Sequence, residues 1–276
     1  MASLAFKVIG TIGLASYAIA YACAKLRHVS YHRFRIVAVP AAGLPTMPRG
    51  YSWRLLGPAE LAAFEIDVGP QVQAERFAHG LGCLAVFDRQ GELAGVSWLG
   101  RGTYQEFGVS YHLPPEAAWD TGLWVPEEKR MGRAFSALWA AIGEWLRGEG
   151  LAWTMSSIAD YNIPSILSHR RLGARELRWF VVLRVGRFQI TYGARPVFRL
   201  RASTRRPSVR LRLPLSPAVA RLPLRPPLAG FLGCSSSRSQ ISTRAPVSST
   251  IISSEWVGPG VKRNRSVPRG TVGKLI

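Results

Sequence analysis

The stretch 121–158 sets the narrowest limits on the fold. Two short apolar runs, TGLWV (121–125) and LAWTMSSI (151–158), bracket a segment in which Phe135, Leu138, Ile142, Trp145 and Leu146 recur at helical spacing. Gly148 and Gly150 close that helix, so the chain alternates strand, helix and strand within forty residues. Such alternation needs a sheet with helices on its faces.

The flanks extend the pattern. YSWRLL (51–56) alternates as a half-buried strand, Pro58 opens the helical PAELAAFEI, and a second helix is expected over 71–80. CLAVF (83–87) and LAGVSWL (93–99) form a hairpin around DRQGE. Residues 101–115 are polar and aromatic with no assigned element. A short helix is expected from Asn162 to about Arg171, closed by Gly173, and LRWFVVLRV (177–185) with FQITY (188–192) supplies a last pair of strands. The expected fold class is α/β, one mixed and mostly antiparallel sheet flanked by helices.

The net charge of +20 suggests a polyanion partner until it is divided along the chain. Residues 201–276 hold fourteen Lys and Arg against Glu255 alone, so the basicity belongs mostly to the tail. That tail carries nine of the 19 prolines and no helical or strand period, and disorder is expected over 198–276. A basic tail can touch RNA, DNA or anionic lipid, or be a solvated extension. No function is assigned to it, and nucleic acid is not the expected partner.

Three cysteines, far apart, point to a reducing compartment, and a cytoplasmic location is expected. His28 and His32 alone have close metal-type spacing, with no further ligand near, and no metal site is expected.

Val8 to Ala24 is a run of seventeen uncharged residues, just short of a spanning helix. Three readings stay open: an anchor at the cytoplasmic face of a membrane, a signal peptide, or a loosely packed extension. Met47 precedes the first convincing strand. The expected division is an extension over 1–46, a domain over 47–197 and the tail; a chain starting at Met47 is expected to keep the fold.

The turn Lys129-Arg130-Met131-Gly132-Arg133-Ala134 enters the long helix. Unpaired amides and the positive end of the helix dipole suit an anion there, Gly132 lets it approach the backbone, and three cations add charge. An exposed loop with a glycine easing the helix start reads equally well. The string is neither a Walker loop nor a dinucleotide fingerprint. Asn162 and His169, seven apart, share a helix face; alone, the first is an N-cap and the second a surface histidine.

Taken in order, strand, KRMGRA turn, long helix, strand and N-x-x-S-x-x-x-H-x-x-L-G-A resemble the acyl-CoA core of the GNAT acyltransferase superfamily over about residues 50–195. The resemblance implies acetyl-CoA as cosubstrate. It places the diphosphate on Lys129, Arg130, Met131, Gly132, Arg133 and Ala134, and the pantetheine arm on the strand backbone at Leu123 to Val125, splayed from the strand at Met155 to Ser157. Asn162 takes the position of the family's pantetheine-contacting asparagine. His169 stands where many members have the tyrosine that protonates the departing thiolate, and Lys129 stands where Arg or Gln is usual.

The implied reaction is N-acyl transfer to a primary amine, on a small molecule or a peptide, by direct attack in a ternary complex. A backbone amide steadies the oxyanion, and holding two reactants together supplies most of the gain. The amine must lose a proton. Asp120 is the first candidate base, Glu116 the other nearby carboxylate, with a solvated carboxylate and water as the alternative. Trp119, Trp124 and Tyr104 are expected beside the acceptor cleft. Two other classes remain: a CoA-binding module of the same fold without turnover, and a nucleic-acid binder acting through the tail.

Overall fold

The computed structural model describes residues 2–130, 132–193, 197–200 and 208–212, with the backbone alone for 2–9 and 197–200. Helix α1 (Ala2–Ala24) leads into strand β1 (Val29–Pro40), then β2 (Ser52–Leu56), α2 (Pro58–Leu61), α3 (Pro70–Ala78), and the hairpin β3 (Gly82–Phe87) and β4 (Leu93–Arg101). A small hairpin, β5 (Thr103–Glu106) and β6 (Val109–His112), precedes β7 (Ala117–Trp124), α4 (Ala134–Gly148), β8 (Trp153–Ala159) and α5 (Ile163–Arg171). The chain continues through β9 (Arg175–Val185), β10 (Phe188–Tyr192), β11 (Val197–Leu200) and β12 (Ser208–Arg210).

Nine strands form one sheet in the order β11-β10-β9-β1-β8-β7-β4-β3-β2. Its neighbours are antiparallel except β7 and β8, so the fold is the mixed, mostly antiparallel sheet flanked by helices that the periodicity indicated. Helix α4 covers one face with Ala137, Leu138, Ala141, Ile142 and Leu146 packed on Leu84, Val86, Ala118 and Val125. Each fully buried Leu or Ile there contributes about 1.5–3 kcal/mol. On the opposite face α2 and α3 cover Cys83, Val96 and Trp98, while the β5–β6 hairpin covers Phe34, Ile36 and Trp119.

Two domain limits differ from those expected. Strand β1 lies inside the sheet, paired along Phe34–Pro40 with β8 and along Val29–Ala38 with β9, so the chain ahead of Met47 is central to the sheet rather than an extension. Its period is two: Phe34, Ile36 and Ala38 are buried in the core. Arg33 and Arg35 grip the buried Asp160 at the end of β8, at 3.0 and 2.9 Å. At the other end, β11 pairs with β10 and β12 with β6, and Leu211 is buried, so folded chain passes residue 197. Residues 213–276, most of the tail expected to be disordered, lie outside the described residues.

Candidate functional site

The parallel strands β7 and β8 pair only at Ala117–Trp153, Ala118–Thr154 and Trp119–Met155. Beyond that point each follows its antiparallel neighbour: Asp120 and Thr121 stay opposite Leu99 and Trp98 of β4, while Ser156 and Ser157 stay opposite Val37 and Ile36 of β1. The two strands therefore part at the middle of the sheet. A register shift between Val96 and Trp98 marks a bulge in the β4–β7 ladder beside Gly122, whose φ is +59°. A Cβ at Gly122 would also meet the Arg76 guanidinium at 2.3 Å and push that side chain aside, so the position favours glycine.

A cleft open to solvent occupies the parting, with Asp120, Leu123, Phe135, Trp139, Ser156 and His169 among its lining. A second cavity shares Leu123 and Phe135 with it and reaches Val125 and Arg130. The cleft thus runs from the middle of the sheet to the start of α4.

Asp120 and His169 are brought together here. Asp120 is buried; Thr154 Oγ1 donates to its Oδ2 at 2.6 Å, and burial, opposed by hydrogen bonds from Thr154 and Ser156, pushes its carboxyl up to about 7. Ser156 Oγ also lies 3.1 Å from His169 Nε2. The other ring nitrogen, Nδ1, is 2.8 Å from the Ser165 carbonyl, which can only accept, so Nδ1 carries the proton and Nε2 is left as an acceptor that competes with Asp120 for the single Ser156 hydroxyl proton. Trp139 stands edge-on to the ring at 5.3 Å, and burial lowers the histidine to about 4. At neutral pH His169 is a neutral ring whose single N–H is committed to Ser165. The geometry therefore runs against the general-acid role expected for it.

Other expected residues divide. Asn162 caps α5, its Oδ1 accepting from the Ser165 amide at 3.2 Å. Lys129 turns from the cleft to Asp88 (2.6 Å) and Glu92 (3.0 Å), so its charge is spent on the β3–β4 turn. Arg130 Nε donates to the Val125 carbonyl at 3.0 Å, and the Gly132 amide to the Lys129 carbonyl at 3.1 Å. Leu123 lines both cavities and Val125 the second. Met131 lies outside the described residues. Gly132 and Arg133 are exposed, and α4 starts at Ala134 without a side-chain cap, so its first-turn amides have no acceptor within the helix.

The aromatic residues also divide. Trp119 is fully buried between Tyr104 and Tyr111, at 4.7 and 5.3 Å, as core rather than cleft wall, while Trp124 borders the second cavity. Glu116 does not line the cavities. Sequence reasoning passed over Thr154, Ser156 and Trp139, whose indole N–H is buried without a partner. A signal existed for two of them: Thr154 and Ser156 alternate with Met155 in a buried strand, putting two hydroxyls on one face. Among the described residues no group of three or more His, Cys, Asp or Glu could hold a metal ion.

No protein-family model matches the chain, and no curated protein matches it. Solved structures are similar to it at low identity. They include a functionally unknown conserved protein from Staphylococcus epidermidis (11% identity, TM-score 0.42, covering 57% of this chain and 63% of that one). A tandem GNAT protein from the clavulanic acid biosynthesis pathway gives 20% identity, TM-score 0.39 and coverage of 62% and 56%. A GNAT-family acetyltransferase from Novosphingobium aromaticivorans gives 15%, 0.39 and coverage of 57% and 65%. The chain spans less than two thirds of the length of each.

Proposed function

We propose that this protein is an acyl-CoA-dependent N-acyltransferase of the GNAT type, taking acetyl-CoA and a primary amine. The observation that carries the reading is the parting of β7 from β8 at Trp119 and Met155, with a carboxyl near pKa 7 buried on one side and adjoining cavities reaching toward the uncapped start of α4.

The residues present fit a coenzyme of this shape. The amides of Ala134 to Ser136 and the Arg133 side chain would meet the diphosphate, and the backbone of Leu123 to Val125 would run beside the pantetheine arm. Gly132 has no internal reason to be glycine: its φ is ordinary, and a Cβ there would meet only the Lys129 carbonyl, at 3.4 Å. That leaves room for a ligand to approach the backbone there. Trp139 offers a buried N–H on the cavity wall.

When bound, the thioester supplies the activated acyl carbon: the amine nitrogen bonds to it, the carbon–sulfur bond breaks, and sulfur leaves as thiolate. Asp120, as carboxylate, takes the proton lost by the amine. Ser156 passes its hydroxyl proton to the sulfur while protonated Asp120 returns one to Ser156 Oγ, so the amine proton ends on the thiol. In the resting site His169 Nε2 offers the serine hydroxyl an acceptor, which the proton leaves when it turns to the sulfur. A carboxyl tuned to exchange protons near neutrality favours turnover over a binding module alone.

The test is thiol release from acetyl-CoA across a panel of amines, beside calorimetry with coenzyme A. Release with saturating amine is expected. Binding without release for any amine would leave the module, and no binding would overturn the reading.

A further inference from the structure

Helix α1 is packed the reverse way from an ordinary surface helix. Its small residues Gly13, Ser16 and Ala20 face the domain, Ala20 being 1% exposed. Its large apolar side chains point out: Ile12 is 61% exposed, and Leu14, Tyr17, Ile19 and Tyr21 follow it around the helix. A helix apolar on all sides belongs inside a core or against lipid. Here the narrow side of small residues meets protein, with Tyr17 at its edge 5.7 Å from the Tyr161 ring.

The apolar surface continues beyond the helix. Leu26 is exposed just after it, and the Gly186 amide donates to the His28 carbonyl at 2.7 Å, bringing the β9–β10 turn alongside. Val185 and Phe188 project from that turn, Phe188 at 63% exposure. The charge around this surface has one sign. No Asp or Glu precedes Glu60 or falls within residues 177–200, whereas Lys25, Arg27 and Arg187 flank the helix end and the turn. Lys25 Nζ lies 4.4 Å over the Tyr21 ring, a cation held at the edge of the apolar ridge.

We propose that α1 and the β9–β10 turn form one docking surface for an anionic lipid bilayer, with the helix lying in the plane of the headgroups. Exposed aliphatic side chains enter the acyl boundary, tyrosines sit at headgroup level, and the cations meet lipid phosphates. Among the described residues no helix is long and apolar enough to cross a membrane, and a crossing would strip Gly13, Ser16 and Ala20 from the domain. A second copy of the chain would place the same cations against each other, which argues for lipid.

Flotation of the full chain with vesicles tests this directly. Binding is expected to mixed phosphatidylserine–phosphatidylcholine vesicles, much less to phosphatidylcholine alone, and raised salt should release the unaltered protein. The pair Lys25→Glu and Arg27→Glu should weaken binding at least about tenfold. Ile19→Ser and Phe188→Ser should each weaken it about tenfold while the cooperative melt is retained, since both side chains are exposed and outside the core. Equal, salt-insensitive binding to both vesicles would overturn the proposal. So would no binding, whether the chain is then a monomer or a dimer that Ile19→Ser dissociates in sedimentation.

Discussion

Trp119 and Met155 are the last residues at which β7 and β8 hold each other, and the next residue on each strand, Asp120 and Ser156, faces the opening between them. Pairing and site share a cause: β4 and β1 draw the strands apart, and the polar residues sit where the ladder fails.

Asp120→Asn should lower kcat about 10²–10⁴-fold, the usual range for losing a general base. In the parent, kcat/KM should rise as pH passes about 7 and the carboxylate forms; the Asn variant should lack that limb. Stability moves the other way. The folded carboxyl keeps a proton that the unfolded chain releases near 3.8, so its contribution falls as pH rises from there to about 7. The buried histidines act in the opposite sense over much of that window, so Asp120→Asn should steepen the gain in melting temperature as pH rises across it.

Ser156→Ala should slow turnover while leaving coenzyme A affinity within about twofold, because Ser156 acts on the sulfur and not on the nucleotide. His169→Gln, which still offers an acceptor for the hydroxyl, should slow turnover less than Ser156→Ala. Equal loss from both would return the acid role to the ring.

His169 and His32 should make the protein acid-sensitive. Both are held near pKa 4 by burial, against 6.5 when unfolded, so stability present above pH 6.5 is lost as pH falls through 6.5 toward 4. Thermal melts across that window should show the loss, and His169→Gln should reduce it without abolishing it.

Gly132→Leu should weaken coenzyme A binding about tenfold to a hundredfold, the value of one charge-assisted hydrogen bond to an approaching phosphate. The melting temperature should hold, since the backbone there suits any residue. Calorimetry beside a thermal melt separates the two.

A chain starting at Met47 should fail to fold, because it lacks the strand between β8 and β9. Far-UV circular dichroism of that truncation checks it, and a cooperative native-like melt would show that the remaining strands close the gap.

Much of this fold was legible because period is local. The α4 stripe, the β3–β4 hairpin and the α5 cap all announce themselves within a dozen residues. Strand β1 was hidden by its surroundings: Arg33 and Arg35 alternate with Phe34 and Ile36 as a half-buried strand should, yet they follow a long apolar run and resemble its charged flank. The four-residue strands β5 and β6 are too short for a period. In the site, Asp120 and His169 emerged from spacing and resemblance, and they do share a cavity. Lys129 misled because Asp88 and Glu92 are remote in sequence, and only the folded chain shows that they claim its charge.

The position of β1 constrains how the molecule is made. Strand β1 leaves the ribosome ahead of its partners and must wait for them more than a hundred residues, since its ladders run to 153–159 and 175–185. Until then its edges stay open, inviting pairing with neighbouring nascent chains, and closure requires a large loop to form before any reward arrives. Slow, late-completing assembly with a need for chaperone shelter is the expected cost of threading the sheet from its middle.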